Sequence, residues 1–245
     1  FFYFIGGQTL GISNIIFLLL FIAANVFFGI KILGLYRMAQ ATKGNVWSGS
    51  RLDRVSERII TFIANVIGQK AVLRKQWIGL AHVAIFWGFL IITIETLELF
   101  FYEIFGGFSW EFLIGPSAYG LLSGVQDFFT AVVLCGIAYA LYRRLIVRPE
   151  GVGKSKDAMI ILSLTSLLMI SLLLMRAFHM IGEPKAQDGW KFVSGMIFNL
   201  VLQPLSINPA TAQTIAAVFR WIHHLLVFGF LVYIPSSKHL HVLTA

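Results

Sequence analysis

The chain has 245 residues, 58% of them hydrophobic and 12% charged, with a mean hydropathy of +0.83. A soluble domain carries roughly 25% charged residues, so this composition excludes an ordinary soluble globular enzyme, and its apolarity excludes a disordered chain. Nineteen basic against eleven acidic residues give a net charge of +8, and a single cysteine, Cys135, excludes an internal disulfide and any cysteine-held zinc or iron–sulfur centre within these residues.

Five apolar runs follow in chain order, at about residues 10–36, 77–101, 119–142, 158–181 and 211–234. Each is long enough to cross about 30 Å of hydrocarbon as a helix, the only open-chain form that satisfies its own backbone in lipid. The first lacks a basic leader and a small-residue cleavage site, so it is taken as a span and not a signal peptide. The expected fold is an all-α membrane protein of five transmembrane helices. The fifth helix is expected to be able to continue past Pro235.

Charge sets the expected orientation. Fifteen of the nineteen basic residues lie at the end of span one or between spans one and two, between spans three and four, or after span five. They include Lys31, Arg37, Lys43, Arg51, Arg54, Arg58, Lys70, Arg74 and Lys75, then Arg143, Arg144, Arg148, Lys154 and Lys156, then Lys238. The opposite side is assigned Lys185, Lys191 and a connection containing Glu98, Glu103 and Glu111. Basic residues stay in the cytoplasm, which puts the N-terminus outside and the C-terminus inside. The positive charge is thus a topology signal and no nucleic-acid partner is expected. Residues 51–67 place Ile59, Ile60, Phe62, Ile63, Val66 and Ile67 at helical spacing behind a charged start. They predict an amphipathic cytoplasmic helix, lying in the lipid headgroups or docking a soluble redox partner. A short helix is expected within residues 190–205. Asn208-Pro209 has the form of a cap followed by proline at the first helical position.

The six histidines are His82, His179, His223, His224, His239 and His241. Ionisable side chains within spans are costly and usually functional. His223 and His241 are separated by five helical turns, about 27 Å if the helix runs through Pro235, and so share a face. Span two starts inside, which puts His82 near the inner surface and level with His241. Span four ends outside, which puts His179 near the outer surface and level with His223. Two imidazole pairs stacked across the bilayer are what two six-coordinate b-type haems need. Dispersal over two depths argues against zinc, and covalent haem lacks its C-x-x-C-H motif. Arg176 and Arg220 each precede a proposed ligand by three residues, and either pair with haem propionates or snorkel to the headgroups. Gly79, Gly88, Gly229 and the pair Gly120 and Gly124 would let helices or a macrocycle approach closely.

Trp221-Ile-His-His followed by Ile234-Pro-Ser-Ser-Lys-His-Leu-His241 resembles the last helix of the nitrate reductase gamma-subunit-like membrane cytochromes b. His82 within Leu80-Ala-His-Val-Ala-Ile-Phe-Trp-Gly88 resembles that family's second helix. The nearest likeness is to the membrane domain at the front of heterodisulfide-reductase-like iron–sulfur proteins, among them the electron-transfer flavoprotein:menaquinone oxidoreductases. The resemblance implies that His82, His223 and His241 match family ligands. The family's second ligand on helix two falls at Ile92 here, which leaves His179 as the outer partner, or one haem only. It further implies menaquinone as substrate and a bacterial or archaeal cytoplasmic membrane. The expected donor is an electron-transfer flavoprotein or similar protein, with iron–sulfur clusters in a cytoplasmic domain or subunit outside this segment. The chain, which starts Phe-Phe-Tyr, is accordingly expected to be one membrane domain (residues 1–245) of a longer polypeptide.

Quinone chemistry would use an apolar cleft with a few proton-handling groups. Asp127 and His224 are the leading candidates, with Gln126 and Glu95 beside them. Each could instead make a helix–helix hydrogen bond. A site near Lys75 and Trp77 stays open. A transporter would show broken spans and inverted repeats, and a passive anchor would leave the histidine pattern unexplained.

Overall fold

The computed structural model describes residues 11–41, 54–149, 155–183 and 192–237, and among them there is no strand. Five helices are long and apolar enough to cross a membrane. They are α1 (Ile12–Ala41), α4 (Gln76–Phe105), α6 (Pro116–Tyr142, continued by a wider turn over Arg143–Val147), α7 (Lys156–Gly182) and α9 (Pro209–Tyr233). Short helices lie between them: α2 (Val55–Phe62), α3 (Lys70–Leu73), α5 (Glu111–Ile114) and α8 (Phe192–Ile197). All five expected spans are present. Their exposed side chains are largely apolar, as lipid-facing surface must be.

The helices close into a ring in the order α1, α4, α6, α7, α9 and back to α1. Hydrogen bonds fix an up-and-down arrangement. Asn14, starting α1, donates to the Glu103 carbonyl near the end of α4 at 2.7 Å. Gln213, starting α9, donates to the Gly182 carbonyl ending α7 at 3.2 Å. At the other end, the Tyr233 hydroxyl finishing α9 donates to Asp157 starting α7. This topology gathers Arg74, Lys75, Arg143, Arg144, Arg148 and Lys156 at one end of the bundle, here the basic end. Lys43, Arg51, Lys154, Lys185, Lys191 and Lys238 lie outside the described residues.

Local signals act as their chemistry demands. The Asn208 side chain accepts the Ala210 N–H at 2.8 Å, with Pro209 in the first turn of α9. Helix α2 runs into a wider turn over Ile63–Ile67 and buries no side chain, leaving Val55, Ile59, Ile60, Phe62 and Ile63 exposed. Gly88 is a true close approach: a Cβ there would sit 2.3 Å from Val133 Cγ2 of α6. Gly120 and Gly229 face open space instead. The central core is built from Ile92, Val133, Ile137, Leu168, Leu172 and Phe230.

Two sequence expectations change. Helix α9 does not carry its phase beyond Pro235: it ends at Tyr233, a 3-10 turn spans Ile234–Ser236, and Ser237 is extended. Proline lacks the N–H that a continuing helix needs, so the five-turn argument relating His223 to His241 fails. His239 and His241 themselves lie outside the described residues. Second, Glu98 and Glu103 are not in a connecting loop. They lie within α4 and are buried: Glu98 falls inside the apolar run itself, and the helix continues four residues past that run to take in Glu103.

Candidate functional site

The polar side chains inside the bundle form three levels. The first surrounds His223, 1% exposed on α9. Its Nδ1 lies 3.2 Å from Ser171 Oγ of α7 and its Nε2 lies 3.1 Å from Thr96 Oγ1 of α4. The Ser171 hydroxyl donates its own proton to the Leu168 carbonyl at 2.7 Å. Ser171 can therefore only accept from His223, so Nδ1 carries the hydrogen and Nε2 accepts from Thr96. Both ring nitrogens are used. Ile92, 2% exposed, is one helical turn from Thr96 and belongs to the same packed core as Leu168 and Leu172.

The second level is Arg176 of α7, buried among three helices. Its Nε donates to Glu95 Oε1 of α4 at 2.8 Å and its Nη2 to Glu95 Oε2. This is the two-pronged pairing that a planar guanidinium favours. Nη1 donates to Asp127 Oδ1 of α6 at 3.1 Å and to Thr130 Oγ1 at 3.4 Å. Asp127, fully buried, also accepts the Val193 N–H of α8 at 2.6 Å and the Ser194 N–H at 3.2 Å. One arginine thus ties α4, α6 and α7 together, and Asp127 adds α8.

The third level joins α1, α4 and α9. Arg220 Nε of α9 lies 2.9 Å from Glu103 Oε1 of α4, and its guanidinium lies 5.0 Å from the Tyr102 ring centroid. Asn14 donates to Glu103 Oε2 at 3.3 Å. His224, fully buried, places Nε2 3.7 Å from Glu103 Oε1. Phe17, Phe100 and Trp221 surround its ring at centroid distances of 4.8, 5.5 and 6.0 Å. Glu98 is separate, accepting from Ser109 Oγ at 2.6 Å and from the Trp110 N–H at 3.1 Å.

His82 and His179 stand apart from these levels. His82 is exposed near the start of α4, at the basic end, fourteen residues or about 21 Å along the axis from Thr96. The contact of Thr96 with His223 thus sets His82 and His223 at different positions along the bundle. His179 is exposed near the end of α7. The register of α7 on α9 is given by Gly182 with Gln213, by Phe178 stacked on Phe219 at 5.9 Å, and by Ser171 with His223. That register sets His179 beside the Ala216–Ala217 turn, about 10 Å along the axis from His223. The expectation that His179 and His223 share a level is corrected accordingly. The two helices are antiparallel, and counting each histidine from its own helix end ignores how they are offset.

These residues fit an outer haem poorly. Axial ligation requires both imidazoles on one iron, but His179 lies at another level, and the Nε2 lone pair of His223 is taken by Thr96. Arg176 and Arg220, the expected propionate partners, are occupied by Glu95 with Asp127 and by Glu103. At the inner level, His82 stands on α4 near the basic end, and its expected partner His241 lies outside the described residues.

The quinone candidates Asp127 and His224 are both enclosed. Among the described residues an open apolar groove lies elsewhere, between α4 and α6, with a volume of about 420 Å³. Trp77, Leu80 and Ala84 line one wall, and Phe128, Val132 and Tyr139 the other. Thr96, Ser171, Thr130 and Asn14 escaped the sequence reading. Hydroxyls and a lone amide in apolar helices are common, and only their placement beside His223, Arg176 and Glu103 gives them a role.

Two known proteins are similar to this chain. A "Probable iron-sulfur-binding oxidoreductase FadF" of Bacillus subtilis is 28% identical over 193 residues, covering 78% of this chain and 26% of that protein. An "EtfAB:quinone oxidoreductase" of Syntrophomonas wolfei is 25% identical over 253 residues, covering 96% of this chain and 33% of that protein. The chain thus spans between a quarter and a third of these relatives' lengths. No family model matches it, and no solved structure matches it.

Proposed function

We propose that this chain is the membrane electron-transfer part of a quinone-linked oxidoreductase. It would exchange electrons between a cytoplasmic iron–sulfur or flavin partner and the quinone pool, with menaquinone as the quinone. The observation that carries this reading is the similarity to the two oxidoreductases, which covers most of this chain and a minor part of each of theirs. A small membrane part joined to larger redox machinery accounts for that coverage. It also accounts for five apolar helices with a single cysteine. In this reading the donor is an electron-transfer flavoprotein or similar protein, and the clusters belong to residues outside this sequence.

The basic end faces the cytoplasm, since Lys and Arg flanking spans are retained there. This puts the N-terminus outside and the C-terminus inside a bacterial or archaeal cytoplasmic membrane. Exposed α2 then lies at that surface, against headgroups or the redox partner. His82 sits at this same end, on the side from which electrons arrive, and it would hold a haem b together with His241, which lies outside the described residues. Bound haem would supply a one-electron carrier. The chain's own residues hold the ligand helix in place: Gly88 lets α4 press against α6, and the Glu95–Arg176 pair fixes α4 to α7.

The test is an optical spectrum of the purified chain in detergent. A b-type α-band in the reduced-minus-oxidised difference is expected, with reoxidation by a short-chain menaquinone analogue. Complete absence of that band in protein that is folded by circular dichroism overturns the reading in favour of a passive anchor or a transporter.

A further inference from the structure

In the half of the bundle away from the basic end, His223, Arg176 and Arg220 are each engaged by protein side chains. We infer that this chain carries one haem b, in the half that holds His82, and that His223 is the centre of a hydrogen-bonded clamp and not an iron ligand. The inference rests on the proposed redox function and narrows it.

Four independent observations carry it. His223 spends Nδ1 on Ser171 and Nε2 on Thr96, the second being a bond straight across to α4 at 3.1 Å. A macrocycle standing between α9 and α4 would have to separate groups that are in direct contact. Second, the core on the α4 side of that contact is solid, because Ile92 packs with Val133, Leu168 and Leu172. Close-packed interiors do not open by the width of a ring without loss of those contacts. Third, His179 is exposed and displaced by about 10 Å along the axis. Fourth, both arginines are neutralised by protein carboxylates. Two propionates brought to this half would add negative charge to a cluster that already holds Glu95, Glu103 and Asp127.

The chemistry follows. A clamp through two neutral hydroxyls satisfies the buried imidazole, which would otherwise be left as a costly unpaired polar group. The same clamp ties α9 to α4 and α7 at the middle of the bundle. With one carrier near the basic end, an electron enters and leaves within that half of the membrane. The quinone must therefore meet it there, and not beside the enclosed Asp127 and His224.

Pyridine haemochrome analysis against quantitative amino-acid analysis tests this. One haem per chain is expected in the purified protein, and two per chain overturns the inference. His82→Ala is expected to remove all haem. His179→Ala and His223→Ala are expected to keep the full haem content and the α-band position, and loss of half the haem in either overturns the inference. Should His223→Ala fail to accumulate, Thr96→Val with Ser171→Ala breaks the clamp while keeping the imidazole. That variant is expected to retain one haem, and a fall in content or a shifted band overturns the inference. A wild-type chain with no haem overturns the proposed function itself, which separates the two failures.

Discussion

Arg220 on the last spanning helix and Glu103 on the second face each other at 2.9 Å, the Arg220 side chain 26% exposed and the Glu103 side chain 2% exposed. The pair joins the first spanning helix to the second and the last, since Asn14 also reaches Glu103. A partly exposed partner is screened, so this ion pair is weaker than the enclosed one around Arg176. A double-mutant cycle on Arg220 and Glu103 should give a coupling near the ~1 kcal/mol end of the exposed range. Unfolding in mixed detergent micelles, followed by circular dichroism, measures it.

Arg176 is the stricter case. Replacing it by Leu leaves Glu95 and Asp127 buried without their cation, which should cost ~3–5 kcal/mol. The triple variant Arg176→Leu, Glu95→Gln, Asp127→Asn should recover much of that loss, because it removes all three charges together. The same unfolding measurement compares them. Equal stability of the single and triple variants would refute the pairing.

Gly88 has no room for a side chain. Gly88→Ala puts a methyl 2.3 Å from Val133 Cγ2, an overpacking cost of ~1–3 kcal/mol. Val133→Ala alone should also destabilise, by opening a cavity. The two together should be less damaging than their sum, since the second change clears the space the first requires.

Asn208→Ala removes the side-chain acceptor for the Ala210 N–H and should cost ~1 kcal/mol. Asn208→Asp should restore most of it, because a carboxylate caps the same N–H and favours the positive end of the helix.

The sequence discloses some of this architecture and hides the rest for physical reasons. Spans and the Asn208-Pro209 cap are legible because they depend on neighbours in the chain. The partners of Arg176 are not, since a charge in a helix says that a counter-charge is needed without saying which helix faces it. The level of His179 is hidden because it depends on the offset of α7 against α9, which Gln213 and Gly182 set. The phase of His223 does not pass Pro235, where a missing N–H ends the helix that would transmit it. The place of Glu103 inside its helix is hidden because a carboxylate ends an apolar run in sequence, while Arg220 and Asn14 allow it to remain inside.

The order in which the charged residues occur along the chain has a bearing on how the protein is made. Each costs a few kcal/mol when its helix meets lipid alone, ~2.5–3.5 by insertion scales. Glu95 and Asp127 are synthesised before Arg176, and Glu103 before Arg220. During biogenesis the carboxylates therefore wait in the membrane for their cations. Each late-arriving arginine meets a prepared receptor, and the fourth and fifth helices enter by docking to the earlier ones.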